Sequence, residues 1–254
     1  MRPDRLPLFQ DVPQRLVLVR HGESLGNIAD REAREAGAER LDLDVRDADV
    51  DLSENGQRQA HALGSWFSAL AEQERPALVL SSPYRRAHRT AQLTVEASGM
   101  PVIVDERLRE RDLGIFDGLT GAGIRAAYAE EAERRRKLGK FYYQPPSGES
   151  WADVVLRVRS LLADLRFGFG DRTIWLFSHQ AVIMSFRYVL EGLDEEHLLA
   201  IDQEQTLGNA SLTSYERQDG HLRLVRFADD EVVRRSTAVA TEEPTVADEA
   251  ASRA

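Results

Sequence analysis

Residues 15–23 read RLVLVRHGE, and this stretch suggests both a fold and a chemistry. The run Leu16–Val19 is apolar and half β-branched, which predicts a short buried strand. Arg20 and His21 follow directly, and Gly22 then breaks the regular pattern, so both side chains are expected at the carboxyl end of the strand. Arginine matches phosphate oxygens bidentately, and neutral imidazole is a nucleophile toward phosphorus. Taken alone, the stretch fits either a phosphate-handling loop or a surface turn with incidental charges.

Other short apolar runs predict further strands around this one. They lie at residues 77–80, 102–104 and 173–177, and alternating runs at 211–215 and 221–227 predict a hairpin around Asp219 and Gly220. Helical spacing of apolar residues predicts helices that begin after Ser53 and that span residues 85–96, 121–138, 150–165 and 181–190. Strands that alternate with helices predict an α/β fold, a three-layer α/β/α sandwich with a mostly parallel central sheet. Ligands of such sheets bind at the carboxyl ends of the strands.

Composition limits the classes of protein to which the chain can belong. Its 254 residues include 33 basic and 43 acidic side chains, a net charge of −10, and no cysteine. The absence of cysteine excludes disulfides, thiol catalysis and cysteine-bound zinc. The acidic balance argues against a nucleic-acid partner, and no apolar run is long enough to predict a membrane span. The N-terminal segment also lacks the apolar core of a secretion signal, so the chain is predicted to be cytoplasmic.

One main domain is predicted, over residues 15–236. It is preceded by an N-terminal extension, residues 1–14. Residues 28–51 form a charged insertion, in which more than half of the side chains carry charge without an apolar period, so it is either a solvated insertion or a lid. We expect it to form a mobile flap or a helical excursion near the pocket. Residues 119–147 are predicted to cover the ligand pocket. Residues 237–254, which are poor in large apolar side chains, are predicted to be a disordered tail.

Three more polar stretches follow predicted strands and could meet Arg20 and His21 at the same edge. SPYRRAHRTA, residues 82–91, places basic side chains at a helix N-terminus, where free N–H groups favour anions. Glu110 has a carboxyl group that could donate a proton to a leaving oxygen, although a surface ion-pair cluster is the simpler interpretation of its neighbourhood. His179 directly follows the run TIWLFS, and a lone histidine in such a place is more often structural.

These stretches together resemble the histidine phosphatase superfamily, also called phosphoglycerate-mutase-like, over roughly residues 16–215. The resemblance is carried by Arg20-His21-Gly22-Glu23, Arg86-Ala87 with Thr90-Ala91, Leu108 with Glu110, and Ser178-His179, which stand in the family's order. Supporting matches are Asn27, Asp51 to Gly56 with Gln59-Ala60, Ser147 to Ser150, and Asn209 to Ser211. The resemblance implies the phosphoglycerate-mutase-like fold.

The resemblance also implies catalytic roles. His21 would be the nucleophile that becomes phosphohistidine, and Glu110 would be the general acid and then the base that activates water. Arg20 and Arg86 would hold the phosphoryl group, with His179 as a further hydrogen-bond donor. Arg85 competes with Arg86, but Arg86 precedes alanine as in the family pattern.

Substrate-binding residues follow from the same resemblance. They are Glu23, Ser24, Asn27, Lys140, Tyr142 and Gln180. The stretch KFYYQPPSGES, residues 140–150, and the pair His179-Gln180 are similar to the fructose-2,6-bisphosphatase branch, where lysine and tyrosine side chains contact substrate.

The resulting hypothesis is a metal-independent phosphohydrolase that needs no cofactor and removes phosphate from a small phosphomonoester through a phosphohistidine. No metal-ligand spacing is visible, and arginines can stabilise a transferring phosphoryl group without a metal. A cofactor-dependent phosphoglycerate mutase is the first alternative, weakened because Asp112, Leu113 and Gly114 offer no match to the mutase tyrosine. A non-catalytic phosphate-binding regulator is the second. The expected partner is a small phosphorylated metabolite, with no nucleic acid and no membrane, and a homodimer is left open.

Overall fold

The computed structural model describes residues 12–242, and a six-stranded sheet runs through their middle. The strands are β1 (Arg15–Arg20), β2 (Leu78–Ser81), β3 (Ile103–Val104), β4 (Thr173–Ser178), β5 (Leu212–Gln218) and β6 (His221–Asp229). Their order across the sheet is β3-β2-β4-β1-β5-β6. The first four strands are parallel, while β5 pairs antiparallel with β1 and forms a hairpin with β6. The prediction of a mostly parallel sheet is confirmed.

Helices cover both faces of this sheet. They are α1 (Leu25–Glu35), α2 (Glu54–Ser68), α3 (Arg85–Val95), α4 (Gly121–Ala127), α5 (Ala129–Leu138), α6 (Trp151–Asp164), α7 (Gln180–Glu191), α8 (Glu195–Glu204) and α9 (Glu231–Arg234). Helices α6, α7 and α8 pack on one face, and α2, α3 and α9 pack on the other. The predicted three-layer α/β/α sandwich is therefore confirmed.

Strand β1 shows why a central strand of such a sandwich must be apolar without interruption. Leu16 and Leu18 point into the core beneath α6 and α7, whereas Val17 and Val19 point into the core beneath α2 and α3. All four side chains are buried. Because successive residues of a strand face opposite sides, a strand covered on both faces cannot alternate with polar residues.

The charged segment, residues 28–51, is regular helix over its first third. Residues 28–35 belong to α1, in which Ser24 and Asn27 form a capping box. Ala29 and Ala33 are the buried residues of α1. Alanines four apart give helical burial with little apolar volume, which is why the sequence pattern missed this helix. Beyond α1 the segment has only a short 3₁₀ turn at Asp47–Asp49.

The predicted covering segment, residues 119–147, begins in contact with the charged segment. Arg40 forms a β-bridge with Leu119, and Gly123 lies so close to Glu39 that a Cβ on it would stand 2.0 Å from the Glu39 carbonyl oxygen. The single helix predicted over residues 121–138 is two helices, because Tyr128 leaves helical geometry between α4 and α5. The Tyr128 ring lies 5.5 Å from that of Phe116. Helices α8 and α9 were also missed by the sequence patterns.

The chain after α9 stays with the domain for longer than predicted. Val239 exchanges hydrogen bonds with the Asn55 side chain, and its carbonyl oxygen accepts from Gln59 Nε2 at 2.7 Å. The backbone N–H of Asn209 donates to the carbonyl oxygen of Thr241 at 2.8 Å. Residues 237–242 therefore form an ordered strap across the start of α2. The rest of the predicted tail, and residues 1–11 of the predicted N-terminal extension, lie outside the described residues.

Candidate active site

The two histidines selected from the sequence meet at the carboxyl edge of the sheet. Arg20, the last residue of β1, is in register with Ser178, the last residue of β4. The His21 backbone N–H donates to the Ser178 carbonyl oxygen at 3.0 Å. As a result the His21 and His179 rings lie with their centroids 5.1 Å apart, and both side chains are buried.

Glycines and buried polar side chains hold the loop that carries His21. The Gly22 N–H donates to Thr90 Oγ1 of α3 at 3.0 Å, and the Glu23 N–H donates to Gln59 Oε1 of α2 at 2.8 Å. A Cβ on Gly56 would stand 1.9 Å from the Glu23 carbonyl oxygen. The first turn of α2 therefore reaches the loop only because it has glycine there, and this contact fixes the backbone beside His21.

The surroundings of His21 keep its imidazole neutral. Burial holds its pKa well below the usual 6.5, the positive charges of Arg86 and Arg20 lower it further, and the hydrogen bond to Gly22 opposes them. Nδ1 lies 2.8 Å from the Gly22 carbonyl oxygen, which can only accept, so the proton sits on Nδ1. The Nε2 lone pair is then available for attack on an electrophile.

His179 is neutral for similar reasons. Burial is the largest cause that holds its pKa well below 6.5, and the positive charges of Arg86, Arg157 and Arg20 lower it further. Its Nε2 lies 2.8 Å from Ser82 Oγ. Its Nδ1 is buried without a hydrogen-bond partner among the described residues.

The two predicted clamp arginines are both close to the histidines and nearly inaccessible. Arg20 is 1% exposed and its guanidinium donates to the Leu207 carbonyl oxygen. Arg86 is 6% exposed and forms an ion pair with Asp47. The competing candidate Arg85 is well exposed, and its nearest carboxylate oxygen, on Asp51, is 3.9 Å away. Arg86 is therefore the buried member of the pair and Arg85 the exposed one, and the choice of Arg86 stays a prediction.

Glu110 is held by its backbone on the loop after β3. Ser178 Oγ donates to the Leu108 carbonyl oxygen at 2.7 Å, and Arg157 donates to the Glu110 carbonyl oxygen at 3.3 Å. The Glu110 charge is also felt at Tyr84, whose ring lies 5.3 Å from that of His179. Burial, with the charges of nearby carboxylates, raises the pKa of Tyr84 to about 12. The loop that carries Glu110 is thus bonded to Ser178, the residue directly before His179.

Three predicted substrate-binding residues near β1 serve the loop itself. Glu23 is buried and accepts from Ser53 Oγ at 3.0 Å, so its carboxylate ties the loop to the start of α2. Ser24 and Asn27 cap α1. Asn27 Oδ1 also accepts from Asn209 Nδ2 at 3.3 Å, and the same Nδ2 lies 3.3 Å from the His21 carbonyl oxygen.

The other three predicted substrate-binding residues bind the chain's own carboxylates. Asp202 of α8 accepts from Lys140 Nζ at 2.8 Å and from Gln180 Nε2 at 3.2 Å. Tyr142 is more than half exposed, and its phenol donates to Glu195 at the start of α8. The structure therefore brings Lys140 and Gln180 together but turns Tyr142 outward.

Sequence reasoning missed three residues at this edge, Asp47, Arg111 and Trp151. Asp47 was one charge among many in the charged segment, and nothing in the sequence singled it out. Arg111 and Trp151 could have been noticed because they directly follow Glu110 and the GES turn. The Arg111 guanidinium lies 5.9 Å from the centroid of the Trp151 ring, and Lys140 Nζ lies 5.6 Å from it.

Two further observations concern the described residues as a whole. Within residues 12–242, no three His, Asp or Glu side chains come together in a way that could hold a metal ion. No helix in the same range has both the length and the apolarity to cross a membrane.

Comparison with known proteins adds to this geometry. The family described as "Histidine phosphatase superfamily (branch 1)" matches residues 16–230. A glucosyl-3-phosphoglycerate phosphatase of Mycobacterium tuberculosis is 33% identical over 215 residues, which cover 79% of this chain and 84% of that protein. Phosphoserine phosphatase 1 of Hydrogenobacter thermophilus is 31% identical over 181 residues, or 71% and 77% of the two chains. The solved structure of a mycobacterial glucosyl-3-phosphoglycerate phosphatase with VO3 aligns at a TM-score of 0.68, with 31% identity and coverage of 85% and 99%.

Proposed function

This chain belongs to the histidine phosphatase superfamily and is a phosphohydrolase, and from that premise we propose that it hydrolyses a small phosphomonoester through a phosphohistidine on His21. The observation that carries the proposal is the buried, neutral His21 at the carboxyl edge of the sheet, where the charges of Arg86 and Arg20 lower its pKa. The relatives reported above are named as phosphatases, which favours hydrolysis over the mutase and the non-catalytic alternatives.

The first chemical step transfers the phosphoryl group to the protein. His21 Nε2 attacks phosphorus, the bond to the leaving oxygen breaks, and Glu110 gives its proton to that oxygen. Arg20 and Arg86 are placed to compensate the negative charge on the phosphoryl oxygens, which is where catalysis of phosphoryl transfer mainly acts. His179 offers a further hydrogen bond to the same oxygens.

The second step returns the nucleophile to its starting state. Glu110, now a carboxylate, takes a proton from water while the water oxygen attacks the phosphohistidine. The P–N bond breaks, inorganic phosphate forms and His21 Nε2 regains its lone pair. One carboxyl group acts as acid and then as base, so no other proton carrier is required.

We further infer that the preferred substrate carries a second anionic group. Arg111 makes no ion pair with any residue in the described part of the chain, and its Nε is buried without a hydrogen-bond partner there. The indole N–H of Trp151, a residue that is 3% exposed, is likewise buried without a partner. An arginine without an ion pair and two buried N–H groups without hydrogen bonds favour an anionic ligand, because a buried donor that makes no hydrogen bond is costly.

Phosphate release measured on a panel of phosphomonoesters tests the proposal. Glucosyl-3-phosphoglycerate and phosphoserine, the compounds in the relatives' names, carry a carboxylate, whereas p-nitrophenyl phosphate has no second charge. We expect kcat/KM to be highest for a substrate with the extra charge. Exchange between 2- and 3-phosphoglycerate that outpaces phosphate release by orders of magnitude would instead support a mutase.

Arg111→Ala tests the assignment of the second anionic group. We expect KM for carboxylate-bearing substrates to rise about tenfold, equivalent to about 1.4 kcal/mol, with no change for p-nitrophenyl phosphate. Arg136→Ala is the matched control, because Arg136 is an exposed arginine paired with Glu133. An equal loss on both kinds of substrate would contradict the assignment. Homodimer formation and a cytoplasmic location remain predictions.

A further inference from the structure

Asp47 accepts hydrogen bonds from both terminal nitrogens of the Arg86 guanidinium. Its Oδ1 accepts from Nη1 of Arg86 at 2.8 Å, its Oδ2 accepts from Nη2 at 3.1 Å, and its backbone oxygen accepts from Nη1 at 2.7 Å. A planar fork of two N–H groups that meets two carboxylate oxygens is the geometry with which arginine also binds phosphate. A phosphoryl group cannot take these donors while Asp47 holds them.

We propose that Asp47 is an internal competitor of phosphate: its carboxylate leaves Arg86 when a phosphoryl group binds and returns when the product phosphate departs. This inference rests on the proposed function, because it takes Arg86 as part of the phosphoryl site. Asp47 is thus a positioning residue that acts through Arg86.

The surroundings of Asp47 allow the carboxylate to move. The Asp47 side chain is 40% exposed, whereas that of Arg86 is 7% exposed, so a rotation of the aspartate into solvent is open to it. The chain around Asp47 is anchored on both sides, where the Leu41 N–H donates to the Gly118 carbonyl oxygen and the Leu25 N–H donates to that of Asp51. Residues 44–46 between these anchors are exposed and form neither helix nor strand.

The exchange keeps a buried cation paired throughout the reaction. Arg86 has a carboxylate partner before substrate binds and a phosphate partner afterwards, so its charge is never left buried alone. Return of the carboxylate to Arg86 competes with bound phosphate for the same two N–H groups. This competition weakens the binding of inorganic phosphate and therefore speeds its release.

Phosphate affinity of Asp47→Asn measures this competition directly. We expect the variant to bind inorganic phosphate at least tenfold more tightly in calorimetry, and to be inhibited by it at correspondingly lower concentration. Asp49→Asn is the matched control, because Asp49 lies on the same 3₁₀ turn but pairs with the exposed Arg46. The control is expected to stay within twofold of the parent. Unchanged or weaker phosphate binding by Asp47→Asn would overturn the inference.

A thermal unfolding cycle without phosphate gives a second readout that needs no catalysis. The single changes Asp47→Asn and Arg86→Gln and the double variant are compared with the parent, and the midpoint shifts are expected to be non-additive because the two groups form a pair. Additive shifts would overturn the inference. If the parent lacks phosphatase activity while the coupling and the competition persist, the proposed function fails and the pairing stands. If the parent has normal phosphatase activity but Asp47→Asn does not change phosphate affinity, the proposed function stands and the inference about Asp47 fails.

Discussion

The loop that carries His21 and the segment that carries Asp47, residues 36–49, are held in opposite ways. The loop is buried, and its backbone is fixed by Thr90, Gln59 and the glycine contact with α2. Residues 36–49 are partly or fully exposed, and they are held by the ion pairs of Asp47 and Asp49 and by a few backbone bonds. Exposed ion pairs contribute little to stability, whereas buried, bonded backbone is costly to displace. The comparison teaches that the rim, meaning the loop with His21 and the side chains that fix it, is held rigidly, whereas the segment with Asp47 is held more loosely.

Removal of the proposed nucleophile, His21, is expected to have the largest effect on activity. His21→Ala is expected to lower kcat by roughly 10⁴-fold or more, since a catalytic group that acts as part of a unit carries most of its rate enhancement. His61→Ala, on the exposed side of α2, is the control and should retain full activity. Steady-state kinetics with circular dichroism would show whether the fold persists. Hydrolysis near the parent rate in His21→Ala would place the chemistry elsewhere.

The glycine contact tests whether the rim must be rigid. Gly56→Ala forces a Cβ against the Glu23 carbonyl oxygen, and we expect a loss of about 1–3 kcal/mol in the free energy of unfolding together with reduced kcat. Gly121→Ala is the control, because the nearest atom to its new Cβ, at 3.3 Å, belongs to the flexible Arg125 side chain. Urea denaturation measures both variants. A fully active and stable Gly56→Ala would show that the loop tolerates movement.

The two buried histidines make the free energy of unfolding depend on pH. Burial lowers the pKa of both His21 and His179 well below 6.5, so below pH 6.5 the unfolded chain binds protons that the folded chain does not. Stability is then fully present above pH 6.5 and falls as the pH drops, by up to about 1.4 kcal/mol per histidine for each pH unit. Urea unfolding at pH 7.5, 6.5 and 5.5 measures this slope. The slope should be smaller in His21→Ala, and an identical slope would mean that His21 is protonated in the folded state.

The smallest expected effect is that of a chelator. Activity should be unchanged by EDTA, because the guanidinium groups of Arg20 and Arg86 are placed to supply the positive charge that a metal would otherwise provide. Phosphate release in dialysed protein with and without EDTA is the measurement. A reversible loss of activity on chelation would mean that a metal ion held by acidic side chains outside the rim takes part in the reaction, and it would contradict this expectation.

Sequence patterns predicted the rim far better than the parts that cover it. The apolar runs of β1 and β4 end directly before His21 and His179, and adjacent parallel strands must bring their carboxyl ends together. No such pairing of strand ends fixes the segments around the rim. The pairing of Asp47 with Arg86 depends on the path of an exposed segment, and α1 buries only alanines, which leave a weak pattern. The contacts of Lys140 with Asp202, and of Tyr142 with Glu195, depend on α8, a helix that no pattern revealed.

The strap of residues 237–242 is synthesised long after the loop that it helps to support. A ribosome produces the loop with His21 early, yet Gln59, which supports that loop, is itself held by Val239, 180 positions later in the chain. Asn209, which lies against the His21 carbonyl oxygen, is likewise bound by Thr241. A nascent chain that has folded its sheet but has not yet released these residues lacks the outer support of the loop. Activity is therefore expected to be acquired after translation of the strap, which leaves unfinished chains unable to consume phosphoesters.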